Sequence, residues 1–77
     1  MARIRSFEKT NSNARPHPTE VDCGYQSLQS DGETLLQLTT FGSDHRQSEK
    51  KGSQSLQFDR TTAAELVAII RRTFPGL

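Results

Sequence analysis

The sequence predicts an α+β fold, in which a three- or four-stranded antiparallel sheet, a β-meander, is followed by one C-terminal helix packed on one face. Three observations support it. Apolar and polar residues alternate after Thr19, Asp31-Gly32 interrupts this alternation with a tight-turn signal, and an apolar stripe at helical spacing comes last. The chain has 77 residues, 31% of them hydrophobic, so its core is small. Dimerisation is a common way to stabilise so small a domain, which favours a homodimer.

Residues 1–18 are predicted to form a flexible basic N-terminal tail before a β-β-β-α domain at residues 19–77. The tail has four basic side chains and one acidic, a net charge of +3, while the domain has six basic and eight acidic, a net charge of −2. Residues 8–18 hold one apolar side chain, Ala14, too little to offset the entropy of ordering. Residues 1–7 could add a strand. The basic tail is either a solubilising terminus or an arm that contacts a nucleic-acid backbone.

The first two strands of the domain form a hairpin around Asp31-Gly32, because a two-residue type I′ turn needs positive φ at both central positions. This turn sets the register and sorts the side chains into two faces. The face predicted to be core carries Val21, Cys23, Tyr25, Leu36 and Leu38. The other face carries Gln26, Leu28, Leu35, Gln37, Thr39 and Phe41.

The predicted strands are unusually poor in charge. Residues 24–29, 34–41 and 53–58 hold 20 residues without one charged side chain, and 11 of them are Gln, Ser or Thr. A merely solvated sheet face normally carries Lys, Glu or Arg. The face that holds Gln26 and Gln37 is therefore predicted to contact a ligand or a partner. Gln57 of the third strand joins the same set of candidate contacts.

The segment 42–52 is a long polar connection that contains Arg46, Lys50 and Lys51. These side chains could reach phosphate groups, which makes the segment a candidate contact element. The alternative is an ordinary exposed hairpin of mixed charge. Both interpretations are consistent with its composition.

The C-terminal helix is predicted from an apolar stripe at helical spacing, with Ile69 at its edge. The stripe consists of Ala63, Leu66, Val67, Ile70 and Phe74. Either Asp59 caps the helix, or a capping box begins at Thr62, which leaves its start open by about three residues. Arg71 and Arg72 lie in the last turn, where positive charges stabilise a helix by interacting with its dipole. The alternative is that the same two charges contact a nucleic acid. Pro75-Gly76 ends the helix.

The sequence argues against an enzyme, since no catalytic residues, metal ligands, cofactor motif or small-molecule substrate site are evident. His17 lies in the tail, His45 in the polar connection and Cys23 on a strand, so no nucleophile and base are brought together. No two candidate ligands have a zinc-binding spacing. The lone cysteine favours a reducing, cytoplasmic location, and no apolar run is long enough to cross a membrane.

The order of elements resembles the transcriptional positive cofactor family, whose small domains bind single-stranded DNA. The resemblance covers about residues 19–74 and rests on a strand that ends in an aromatic residue at 35–41, a Lys-Gly junction that enters a short strand at 50–56, and a helix from Thr61. It implies a homodimer made through the C-terminal helices, with sheets that present a curved channel to single strands. It also implies a role in transcription regulation.

Two functions from different classes follow. In the first, the chain is a non-enzymatic nucleic-acid-binding domain, in which Phe41 stacks on bases, the glutamines contact base edges and cationic side chains contact phosphates. The alternative is a protein-interaction or homodimerisation module that buries the uncharged sheet face. The candidate contact residues for either are Gln26, Gln37, Phe41, Arg46, Lys50, Lys51 and Gln57.

Overall fold

The computed structural model describes residues 1–42 and 52–77 and confirms the predicted α+β class. Its elements, in chain order, are β1 (Ala2–Arg3), β2 (Cys23–Ser30), β3 (Glu33–Phe41), β4 (Gly52–Phe58) and α1 (Arg60–Thr73). The four strands form one sheet in the order β1-β4-β3-β2, and α1 packs against β3 and β4. The contacts predicted for Arg46, Lys50 and Lys51 fall outside the described residues.

The β2–β3 hairpin has the predicted register. Asp31 and Gly32 both adopt positive φ, 51° and 78°, as a two-residue type I′ turn requires. Gln26 consequently lies opposite Gln37. β4 then pairs antiparallel with β3, which places Gln57 on the other side of Gln37.

The fourth strand comes from the N-terminus and makes the sheet mixed, because β1 runs parallel to β4. Arg3 lies opposite Gln57, and the Ile4 backbone N–H donates a hydrogen bond of 2.8 Å to the Gln57 carbonyl oxygen. Further along, the Phe7 ring stacks on the Phe58 ring, with centroids 6.3 Å apart and an interplanar angle of 9°. Residues 2–7 therefore run beside the sheet. The mobility expected of residues 1–18 stays a prediction.

Asp59 is the helix N-cap, so the first of the two predicted helix starts is correct. Its side chain accepts a hydrogen bond of 2.9 Å from the Thr62 backbone N–H. The Thr62 hydroxyl oxygen in turn accepts one of 3.1 Å from the Asp59 backbone N–H, which completes a capping box. At the other end Arg71 and Arg72 lie in the last turn, and Gly76 has a φ of 92° just beyond it.

The core is small and lies at one end of the sheet. Among the described residues, only Leu35 and Phe58 are buried apolar side chains, each 4% exposed, and Thr62 is 2% exposed. The register places Leu35 on the same face as Gln37, and it places Phe58 opposite Leu36 on the other face. Each face of the sheet thus contributes one buried residue, close to the point where the chain leaves β4 for α1.

The prediction that one entire face forms the core is therefore wrong. On that face Cys23 is exposed, Tyr25 is 81% exposed and Leu56 is 41% exposed. A 14-residue helix that packs on β3 and β4 is too short to cover all four strands, so the distant part of the face stays open.

The predicted helical stripe is only partly buried. Ala63, Leu66 and Ile70 are half-buried, as is Ile69 at the predicted edge. Val67 and Phe74 are 46% and 60% exposed, although the pattern placed them on the buried stripe. The helix is thus rotated toward Ile69, and the opposite flank of the stripe is left without cover from the described part of the chain.

Candidate functional site

Three of the predicted contact residues form a row across the sheet. Gln26, Gln37 and Gln57 lie side by side on β2, β3 and β4 because the two antiparallel registers place them opposite one another. The Gln57 Nε2 donates to the Gln37 Oε1 at 2.9 Å, and the Gln37 Nε2 donates to the Thr39 Oγ1 at 3.2 Å. These bonds orient the two inner amides. We call the three residues the glutamine row.

Gln26 is the outer member of the glutamine row and is exposed. Its amide forms no hydrogen bond with the other residues in the described ranges 1–42 and 52–77. Since a carboxamide has two donor hydrogens and an acceptor oxygen, Gln26 is available for a ligand or a partner.

A shallow groove runs beside this row, between β2 and β3. It has a volume of about 290 Å³, and its lining residues are Gly24, Tyr25, Gln26, Gln37, Thr39 and Phe41. The structure therefore brings three predicted contact residues, two glutamines and Phe41, to one groove. Gln57 lies outside the groove, next to Gln37.

Phe41 enters the groove because of two local features. The β3–β4 ladder is irregular between Thr40 and Phe41, and such irregularities re-aim side chains. Across the hairpin, a Cβ atom at Gly24 would lie only 3.2 Å from the Phe41 Cζ, so the ring rests close against the β2 backbone. The side chain of Phe41 is half-buried there. Gly24 is thus part of the site, although it is not among the contact residues predicted from the sequence.

The groove has no charged lining residue within the described part of the chain. A described cation, Arg3, lies opposite Gln57 at the end of the row. Its Nη2 contacts the Glu33 Oε2 at 3.0 Å and the Asp59 Oδ2 at 3.3 Å. The hydrogen bond to Asp59 and the charge of Glu33 raise the pKa of Arg3 above its ordinary value. Two carboxylates thus balance this guanidinium.

Asp59 itself titrates at lower pH than usual. The Thr62 backbone N–H is the main cause, followed by the Thr62 hydroxyl and the Arg3 guanidinium, and together they hold the pKa of Asp59 below its ordinary value. These groups belong to the helix cap and the sheet edge. The groove therefore offers amide, hydroxyl and ring contacts, which suit a flat, neutral group with hydrogen-bonding edges.

A second exposed surface lies on α1 and beyond it. Val67, Phe74 and Leu77 are 46%, 60% and 75% exposed. Val67 and Phe74 are seven residues apart and therefore lie on one side of the helix. We call Val67 and Phe74 the helix flank. Exposed apolar side chains grouped in this way are typical of contact surfaces.

Comparison with known proteins finds no matching family model, curated protein or solved structure. The resemblance to the transcriptional positive cofactor family accordingly stays a prediction. No helix within residues 1–42 and 52–77 is long and apolar enough to cross a bilayer. Those residues also hold no group of three or more His, Cys, Asp or Glu side chains placed to bind a metal ion.

Proposed function

We propose that this chain is a small non-enzymatic nucleic-acid-binding domain. It binds single-stranded DNA in the groove between β2 and β3. The observation that supports this most directly is the meeting of Gln26, Gln37 and Phe41 at one groove. An aromatic ring beside carboxamides matches the two ways in which proteins hold an unpaired base. The base stacks on the ring, and its edge exchanges hydrogen bonds with the amides.

Because the described lining of the groove carries no charge, the phosphate groups must contact other parts of the chain. Arg5, Lys9 and Arg15 precede the domain, and Lys50 and Lys51 precede β4. Binding through these side chains releases counterions and weakens as salt concentration rises. The proposal thus separates a base contact in the groove, which is insensitive to salt, from phosphate contacts that are sensitive to it.

Fluorescence anisotropy with a labelled oligothymidine strand tests this function at several salt concentrations. Phe41→Ala should weaken binding by about 5- to 150-fold, because stacking is worth about 1–3 kcal/mol per base. Phe74→Ala is the matched control, since Phe74 is an exposed aromatic side chain away from the groove and should leave affinity unchanged. Replacing Lys50 and Lys51 with Gln should lower the salt slope by about 1.4, roughly 0.7 for each phosphate contact on a single strand. The proposal is wrong if no saturable binding occurs at low salt.

A second candidate function is a protein-interaction module, and the helix flank favours it. Val67 and Phe74 both remain exposed, although both are large apolar side chains. Burial of such side chains contributes about 25 cal/mol per Å² of apolar surface removed from water. Sedimentation of the full chain tests this function. The wild type should exceed the mass of a monomer, and Val67→Gln with Phe74→Gln should reduce the association, whereas Arg71→Gln should not.

A further inference from the structure

The outer edge of the sheet is formed by β2, a strand of eight residues. The opposite edge strand, β1, has only two residues. Natural proteins protect long edge strands with charged side chains, proline or a bulge, because unpaired backbone groups otherwise recruit another strand. β2 reads CGYQSLQS, without charge or proline, and its pairing with β3 has no register shift. Within the part of the chain that the structure describes, β2 thus has none of these three protections.

The hairpin determines which backbone groups of β2 point outward. Ser30 and Glu33 flank the two-residue turn, so they form a hydrogen-bonded pair, and such pairs alternate along an antiparallel ladder. The bond of 3.1 Å from the Phe41 backbone N–H to the Asp22 carbonyl oxygen fits this alternation. The backbone groups of Gln26 therefore point toward β3. Those of the intervening residues, Tyr25 and Ser27 among them, point toward the free edge.

From this edge we infer that β2 pairs antiparallel with β2 of a second copy of the chain, around a two-fold axis at Gln26. The pairing deepens the second candidate function, because it names the partner and the surface. It joins two sheets into one of eight strands and continues the glutamine row across the axis. The Gln26 amide, which is exposed at the end of the row, meets an identical amide. A carboxamide both donates and accepts, so it is complementary to its own copy.

Geometry limits the register to axes that place one residue of β2 opposite its own copy, and the self-complementary Gln26 amide selects among them. A two-fold axis normal to the sheet keeps each face on its own side, so paired residues must come from the same face. An axis at Gln26 meets this condition, with Gly24 opposite Leu28 of the second copy and Tyr25 opposite its Ser27. It pairs residues 22–30 and does not draw on the Asp31-Gly32 turn. It also places Gln26 in a non-hydrogen-bonded pair, the kind in which opposing side chains come closest.

Disulfide cross-linking tests the register. In a Cys23→Ser background, Gln26→Cys should cross-link two full-length chains under mild oxidation, because Cα atoms in a non-hydrogen-bonded pair are about 4.5 Å apart, within disulfide range. Ser27→Cys in the same background is the control. In the proposed register residue 27 of one chain is displaced by two residues from residue 27 of the other, so a disulfide between the two cannot form. Cross-linking at residue 27 alone, or at neither residue, overturns the proposed pairing.

A pair of oppositely charged substitutions at Gln26 tests the contact between the two copies of this residue, so the test does not depend on a single variant. Gln26→Lys and Gln26→Glu each place like charges opposite one another, so each should associate several-fold more weakly than wild type in sedimentation equilibrium. Mixing the two variants should restore association as a heterodimer, which also shows that both are folded. Ser27→Pro should abolish the pairing, because it removes an outward N–H without breaking the β2–β3 ladder, and Ser27→Ala should not.

The outcomes separate this inference from the functions above. If substitutions at residues 26 and 27 leave self-association unchanged but the helix-flank substitutions weaken it, the edge pairing is wrong. The protein-interaction module then remains as the second candidate function. A chain that stays monomeric at every concentration overturns both. Neither result affects the nucleic-acid proposal, because its test measures binding of an oligonucleotide at fixed protein concentration.

Discussion

The unequal burial of two leucines on neighbouring strands gives a sharp test of where the core lies. Leu35 on β3 is 4% exposed, whereas Leu56 on β4 is 41% exposed. Leu35 belongs to the face that the alternation pattern did not assign to the core. Replacing each leucine with alanine removes the same atoms from a strand position. The two positions differ mainly in burial, so the two substitutions have the same chemistry and the same change in strand propensity.

The expected losses of stability differ by a factor of two or more. Leu→Ala at a buried site costs about 2–5 kcal/mol, and Leu35 belongs toward the lower part of this range because the small core can relax around the space left. Leu56 is already partly in water and leaves no enclosed cavity, so about 1 kcal/mol is expected from area alone. For a domain of this size, 1 kcal/mol corresponds to roughly 4–8 °C in melting temperature. Leu35→Ala should therefore melt at least about 8 °C below wild type.

Urea and thermal unfolding, followed by circular dichroism at one protein concentration, measure both losses. Repeating the measurement at a tenfold higher concentration separates folding from assembly, since stability gained by association depends on concentration. Equal losses at the two positions, at both concentrations, would refute the placement of the core. A loss at Leu56 that grows with concentration would instead show that assembly covers this part of the sheet.

Two further predictions concern the helix cap and the groove. Because the Thr62 N–H lowers the pKa of Asp59, this cap stabilises the fold above the pKa of an unfolded aspartate and is lost as pH falls through the lower folded value. Helicity at 222 nm should fall on acidification, and Asp59→Asn should remove that component of the titration. Gly24→Ala should displace the Phe41 ring, since the new Cβ would lie 3.2 Å from it, and so weaken oligonucleotide binding. Gly42→Ala meets nothing within 4 Å and should bind normally, with amide chemical shifts reporting both.

Features governed by local chemistry could be predicted from the sequence. The register of β2 and β3 follows from Asp31-Gly32, because the required positive φ leaves one turn type and hence one pairing. The end of α1 follows from Pro75-Gly76, whereas its start was narrowed only to Asp59 or Thr62, and the structure shows that Asp59 is the cap. The glutamine row could be predicted as far as residues 26 and 37, since it depends only on that register.

Features governed by the number and placement of elements could not be predicted in the same way. Apolar alternation indicates two faces but does not say how far one short helix extends over them, so Tyr25 was assigned to the core. The parallel pairing of β1 forms only after the chain has crossed to β2 at the opposite edge and has come back through β3 to β4. No short sequence pattern indicates this path. The site residue Gly24 was missed for a related reason. Its role depends on the irregular pairing between Thr40 and Phe41 and on the approach of the Phe41 ring to the β2 backbone.

The glutamine row and the edge of β2 share one strand, because the outward backbone groups belong to the residues that lie between those of the groove face. The Gln26 side chain alone belongs to both proposals, in the groove and at the axis. Gln26 directs its side chain into the groove and its backbone toward β3, whereas Ser27 directs its backbone outward. A substitution at Gln26 therefore affects both proposals. Ser27→Pro affects only the edge, and Phe41→Ala affects only the groove. The absence of charge along β2 is consistent with both uses, since a lysine at residue 26 would put a charge into the groove and would oppose its own copy across the axis.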